Sequence, residues 1–226
     1  MVTRSCFLLI FLFIIWNIPF VFAFLSKPNI VMINPAGHAK NVGRKLPFGD
    51  YERSVTFELA KKLQDELQKE YGVRAILTRF IGEEIIDPLQ NTSFANRLGV
   101  DFYLSLHICG QEFSKPKMFM YQLVYNPIVD WAHRVIDPFS FICLHQAHYA
   151  NIYKTKEFGN KMKEVLTLPQ NQRLFDFKGI YGIPIRPLCG ILSPAITIEI
   201  SIRDEYQWKS LIGPIVESLY FLKEDL

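Results

Sequence analysis

What this chain lacks narrows its class before any motif is read. It has only four cysteines and a net charge of only +3 in 226 residues. Cys6 falls in the apolar N-terminal stretch, which leaves Cys109, Cys143 and Cys189 for the rest of the chain. Three cysteines cannot close a disulfide framework, although there is room for one pair in an oxidising compartment. So weak a charge balance excludes an electrostatic footprint for nucleic acid. There is no internal repeat, no low-complexity tract and no shift of composition that would mark a second folded unit. Beyond its first segment the chain reads as one domain, long enough to bury a substantial core, and as a monomer.

Long hydrophobic runs are confined to the N-terminus. Phe7 to Phe22 is apolar except for Asn17 and Pro19, with Arg4 before it and Val21 and Ala23 at its end. That is the layout of a secretory signal, residues 1–23, with cleavage after Ala23. An uncleaved membrane anchor is the alternative, because extension to Leu25 reaches the length of a short spanning helix, ~17–25 residues. On either reading residues 24–226 are exported, to a periplasmic or extracellular location, and any membrane contact is through this segment alone.

The stretch that organises the remainder is Ile30 to Glu52, IVMINPAGHAKNVGRKLPFGDYE. A short apolar strand, Asn29 to Asn34, breaks at Pro35 and Gly37 and delivers His38 to a sheet edge. In open α/β sheets the carboxyl edge is where ligands bind. Asp50 is placed to cap the helix that follows. Val55, Leu59, Leu63 and Leu67 give that helix one apolar stripe, with Glu52 in its first turn, where an acid also suits the helix dipole. Val73 to Thr78 reads as a second strand ending at Arg79, and Asp87 to Asn91 as a loop. Thr92 to Leu98 follows as a short helix, then Asp101 to Leu106 as a third strand with His107 directly after it. Met118 to Tyr125 makes a fourth strand. Phe158 to Leu166 is a helix, Ile180 to Ile185 and Ala195 to Ile200 are strands, and a helix from Pro214 closes the chain. Strand and helix alternating in this way predict a single-domain α/β fold with a mixed, mostly parallel sheet flanked by helices on both faces. Glu199 interrupts the apolar run AITIEI, where a carboxylate is costly unless bound or paired. A salt bridge to Arg186 or Arg203 is the structural alternative. Two histidines and two glutamates at element ends suffice for a catalytic zinc site, three ligands and one acid–base carboxylate.

These residues resemble the zinc-dependent N-acetylmuramoyl-L-alanine amidases of the cell-separation and autolysin type. The resemblance rests on IVMINPAGH, on Glu52 ahead of a long amphipathic helix, on VRAILTR through FANRLGVDFYLSLH, and on SPAITIEI, in that order along the chain. It implies a phosphorylase/hydrolase-like fold, one zinc ion held by His38, Glu52 and His107, and Glu199 as the catalytic carboxylate. It implies peptidoglycan as substrate, cut at the amide between the lactyl group of muramic acid and the first alanine of the stem peptide. Ala36 is an additional residue relative to the family's strand–Gly-His turn, and Asn91 stands where an arginine is usual. No separate wall-binding module is visible.

Residues 128–156 form a stretch longer than the family core needs, rich in aromatic residues and holding His133, His145 and His148. By resemblance it is a regulatory insert that covers the zinc until an activator protein displaces it. His145 and His148, three apart, would share a helix face and read as a structural pair rather than a second metal site. Two other functions fit the same residues: a zinc peptidase or deacetylase on another substrate, and a non-catalytic peptidoglycan-binding homologue.

Overall fold

The computed structural model describes residues 29–80, 85, 87–112, 114–125 and 143–224. The proposed signal, residues 1–23, and the first part of the proposed insert, 128–142, lie outside them. Six strands form one sheet: β1 (Ile30–Pro35), β2 (Arg74–Leu77), β3 (Phe102–Gly110), β4 (Lys117–Leu123), β5 (Asp176–Ile183) and β6 (Ala195–Ile202), in the order β2-β1-β3-β6-β4-β5. Every neighbouring pair is parallel except β4–β6. This is the mixed, mostly parallel sheet that the alternation of elements predicts.

The helices are α1 (Glu52–Tyr71), α2 (Pro88–Leu98), α3 (Ile152–Leu166), α4 (Pro169–Leu174), α5 (Glu205–Ser210), α6 (Ile212–Ser218) and α7 (Phe221–Glu224). Because side chains alternate along a strand, each central strand serves two cores. Val31 and Ile33 of β1, Leu104 to Ile108 in alternation on β3, and Ile196, Ile198 and Ile200 of β6 face one side. There they meet Leu59, Leu63 and Leu67 of α1, Phe158 and Met162 of α3, and Ile215 of α6. Phe102 makes edge contacts with Phe158 at 5.8 Å and Phe221 at 5.9 Å. On the opposite side a smaller core joins Ile30, Met32 and Tyr103 to Ala95 of α2 and to Leu188 and Ile191.

Several element boundaries differ from the sequence reading; β5, for one, starts at Asp176 rather than Ile180. β3 does not stop at Leu106. It lies between β1 and β6, and its pairing with β6 continues to Gly110 opposite Ile202, so His107 stands inside a strand. α2 starts at Pro88, not Thr92, because Asp87 caps it: Leu89 N–H donates to its carboxylate at 2.9 Å, and Gln90 returns the favour to the Asp87 N–H. Pro88 has no N–H to lose in a first turn. α3 begins at Ile152, whose side chain is buried, so the last residues of the proposed insert belong to a core helix. Finally, the helix expected from Pro214 is two short ones, α6 and α7, with Pro214 in the first turn of α6.

Candidate functional site

The site is built on the side of the sheet that α2 covers only in part. On β3 the residues Ser105, His107 and Cys109 alternate with the apolar set, and on β6 Thr197, Glu199 and Ser201 do the same. His107 is the register partner of Glu199 on the adjacent parallel strand, which sets the two side chains next to each other on one face. Phe119 of β4 is the partner of Glu199 on its other side. Glu199 makes no ion pair with Arg186 or Arg203 among the described residues; Arg203 approaches Asp204 instead, at 3.8 Å. The salt-bridge alternative for this carboxylate therefore falls away.

Glu52 reaches the same place from the first turn of α1. Its Oε1 lies 3.1 Å from His107 Nδ1 and accepts from the Ile108 N–H at 3.3 Å, while Oε2 accepts from the Arg44 N–H at 3.3 Å. The carboxylate is buried, 8% exposed. Burial alone would raise its pKa. The hydrogen bond and charge of His107, with the Arg44 and Ile108 amides, outweigh that and hold it below the usual carboxylate value. It is therefore an anion at neutral pH.

What holds Glu52 there is the loop between β1 and α1. Asp50 is not the helix cap; Tyr51 occupies that position. The first-turn amides of Glu52 and Arg53 donate instead to Arg44 O at 2.8 Å and Val42 O at 3.1 Å. The loop's own carbonyls thus satisfy groups that a capping side chain would ordinarily take. Gly43 makes this wrap possible: it has φ 74°, and a Cβ on it would lie 2.5 Å from Glu52 Oε2. Gly37 does similar duty at the turn before His38, with φ 83° and a Cβ position 2.7 Å from Arg53 Cβ.

His38 hangs from that turn. Its ring Nδ1 accepts from the Lys40 N–H at 3.3 Å, and it lines one cavity of about 180 Å³ together with His107, Asn34, Asn91, Tyr103 and Pro187. Ala36, just before the turn, is tied into the scaffold at both its backbone groups. Its N–H continues the β1–β3 pairing to Leu106 O at 2.9 Å, and its carbonyl accepts from Thr56 Oγ1 at 2.9 Å and Arg79 Nη2 at 3.2 Å. Arg79 is 3% exposed, donates also to Arg53 O at 2.6 Å and lies over the Phe57 ring at 4.9 Å. Beneath the cavity Asn34 gathers Thr78, Asn91 and Ser105: Thr78 Oγ1 and Asn91 Nδ2 donate to its Oδ1 at 2.8 and 3.1 Å, and its Nδ2 donates to Ser105 at 3.2 Å. Asn91 thus belongs to this network.

Sequence reasoning missed these supports. Arg79 and Thr56 act through backbone carbonyls and Asn34 through the Thr78, Asn91 and Ser105 side chains, across twenty or more residues of sequence, a pairing that no local pattern encodes. Gly43 was the one with a signal, a glycine in the loop that precedes an acid-led helix. His145 and His148 lie in a 3-10 turn, Leu144–Asn151, where His148 is buried against Tyr149 at 4.2 Å and Tyr125 at 5.8 Å. That is a packing role. Cys109 is likewise buried, with its Sγ 3.0 Å from Ser201 Oγ.

Of the four residues singled out from the sequence, the fold thus joins Glu52 to His107 directly and sets Glu199 beside His107. It brings His38 to the same cavity, but among the described residues no three His, Cys, Asp or Glu side chains converge closely enough to hold an ion. The donors nevertheless fit zinc in kind. Two ligands of one tetrahedral zinc with ~2.0–2.1 Å bonds stand roughly 3.3 Å apart, close to the 3.1 Å between His107 and Glu52. The other ring nitrogen of His107, Nε2, is buried without a hydrogen-bond partner among the described residues.

Comparison with known proteins agrees with this architecture. No curated protein sequence matches the chain. An N-acetylmuramoyl-L-alanine amidase of Clostridium difficile 630 superposes with a TM-score of 0.64 at 17% identity, covering 88% of this chain and 98% of its own. The catalytic domain of CwlV, the amidase of Bacillus (Paenibacillus) polymyxa var. colistinus, gives 0.61 at 15% identity, covering 87% and 98%. CwlD from Clostridioides difficile, solved in complex with the GerS lipoprotein, gives 0.57 at 13% identity, covering 87% and 97%. At such identities these likenesses bear on the fold. The family itself is decided by sequence: the model of N-acetylmuramoyl-L-alanine amidases, in general zinc-dependent enzymes, matches residues 31–205. The chain belongs to that family, as a hydrolase of the peptidoglycan amide bond.

Proposed function

We propose that His38, Glu52 and His107 are the zinc ligands of this amidase and that Glu199 is its catalytic carboxylate. The observation that carries the reading is the convergence of β3, β6 and α1: an ionised, buried Glu52 at 3.1 Å from His107, with Glu199 the register neighbour of that same histidine. Zinc bound there would supply Lewis acidity to the substrate carbonyl and to the attacking water. The residues supply the rest. Glu52 brings the negative charge that a dication needs, and its orientation is fixed by the Arg44 and Ile108 amides. Glu199, on the open side of the sheet, takes a proton from the attacking water and delivers it to the alanine nitrogen as the C–N bond breaks. The products are the lactyl carboxylic acid and a stem peptide with a free amino terminus.

The same reading extends to location and partners. Residues 1–23 act as the secretory signal that takes the domain to peptidoglycan outside the cytoplasmic membrane. A protein partner acts on residues 128–156; that CwlD is found with a lipoprotein gives precedent for an assembled amidase.

The test uses the mature chain, residues 24–226, loaded with zinc. Purified peptidoglycan is digested and the fragments are identified by mass spectrometry, beside Glu199→Gln and His107→Ala variants. Stem peptides beginning at alanine are expected from the parent only. His107→Ala should also lose bound zinc by elemental analysis, whereas Glu199→Gln should retain it. Full zinc in His107→Ala would remove that residue from the ligand set.

A further inference from the structure

Two depressions meet on β3. The cavity already described touches Tyr103 and His107, and none of its lining residues is a cation other than the imidazoles. A second, more open groove of about 420 Å³ starts where that one stops, at Cys109 and Gly110, with Gln111 and Glu112 beyond them. Its opposite wall is the loop that wraps Glu52: Arg44, Lys45, Leu46 and Pro47. Arg44 and Lys45 are both exposed, and neither takes part in an ion pair among the described residues. Glu112 is the one carboxylate in the lining, so the groove has an excess of positive charge.

These cations are held in place by backbone. Arg44 N–H donates to Glu52 Oε2 and its carbonyl accepts the Glu52 N–H. Lys45 is bridged to Tyr51, and Leu46 N–H donates to Asp50 O at 2.7 Å. Gly110 lets Pro47 close on the strand, since a Cβ there would lie 2.6 Å from Pro47 Cδ. The groove also abuts the reacting centre: the charges of Arg44 and Glu199 both act on Cys109 and Tyr121.

The substrate has a matching asymmetry. On the acyl side of the scissile amide is a neutral sugar. On the leaving side is a peptide whose second residue, after alanine, is a D-glutamate with its α-carboxyl either free or amidated. We propose that the Arg44–Lys45 groove is the subsite for the acidic stem peptide, with Arg44 paired to the carboxylate that follows the first alanine. This rests on the amidase reading above and gives the substrate a direction: sugar towards the neutral cavity, peptide towards the cationic groove.

The experiment compares two muropeptides, and the two free stem peptides that they release, identical except for D-glutamate or D-isoglutamine at the second position. Binding of the free peptides to the zinc-loaded protein is measured by calorimetry, and kcat/KM is measured for the muropeptides. A partly exposed charge pair of this kind is expected to favour the acidic ligand by about fivefold, less at high salt. Arg44→Gln should bring the ratio to about one through KM, and Lys45→Gln should reduce it by a smaller factor. Lys45→Gln carries the test alone if Arg44→Gln does not fold. Absence of any preference in the parent chain, or equal losses on both ligands in the variants, would overturn the assignment. Acidic preference in peptide binding without hydrolysis of either muropeptide would uphold the groove while removing the amidase reading. Hydrolysis of both without preference would do the reverse.

Discussion

The two faces of the sheet are made from the same strands and serve different ends. Ile198 and Glu199 are adjacent in β6, yet Ile198 is fully buried against the α1 and α3 side while Glu199 faces the open side next to His107. In β1, β3 and β6 one face has no polar position among the described residues, while the other carries Ser105, His107, Thr197, Glu199 and Ser201. A strand's two-residue period lets a single segment contribute stability and chemistry without mixing them. The teaching is that substitutions one residue apart should separate these properties cleanly.

The largest effect expected from that comparison is a paired one. Glu199→Gln should lower kcat by ~10²–10⁴ with a Tm within about 2 °C of the parent. Ile198→Ala should cost ~2–5 kcal/mol of stability, seen as a lower denaturant midpoint, with near-parent kcat in the fraction that remains folded. A large stability loss in Glu199→Gln would break the division between faces. Next in size is Gly43→Ala, which acts where fold and site are not separate. Its Cβ must displace Glu52 Oε2 and its φ is left-handed, so zinc affinity should fall ~10–100-fold along with ~1–2 kcal/mol of stability. Unchanged zinc affinity in a competition titration would show that the loop does not position the carboxylate.

The smallest effect lies at the sheet's edge, where charge serves neither core nor site. Asp176 of β5 pairs with Lys115 at 2.7 Å and Lys178 at 3.3 Å, which hold its carboxyl below the usual value. A folded pKa that is depressed contributes stability above the unfolded carboxylate value, ~3.9, and loses it as pH falls through the folded one. Asp176→Asn should therefore lower Tm slightly at pH 6, and the difference should close below about pH 4. Because all three side chains are partly exposed, the effect should be small and weaken with salt. A difference that grew on acidification would contradict the sign of the shift.

Much of this was legible in the chain. The alternation in FYLSLHIC and AITIEI marks β3 and β6 and already places His107 and Glu199 opposite the apolar set. The stripe Val55 to Leu67 marks α1 and puts Glu52 at its start. The D-P-L-Q signature of a capped helix at Asp87 is present too, and it is this cap that turns the loop expected over Asp87 to Asn91 into the first turns of α2. What could not be read was non-local. Nothing near Glu52 announces that its partner is His107, 55 positions away, or that carbonyls of the preceding loop, rather than Asp50, would close α1. The end of β3 was placed too early for the same reason: strand length was set by the partner β6, not by the run of residues itself.

The loop from Gly37 to Tyr51 has one more implication. Since Val42 and Arg44 supply the acceptors for the first turn of α1, and the first residue of that turn is Glu52, the proposed zinc ligand, helix initiation and the proposed metal capture would form one cooperative unit. Lengthening the loop would uncap a core helix at the same time as it misdirects the Glu52 carboxylate. Variation in loop length among this chain's relatives should therefore fall elsewhere around the site, in segments that cap no core helix.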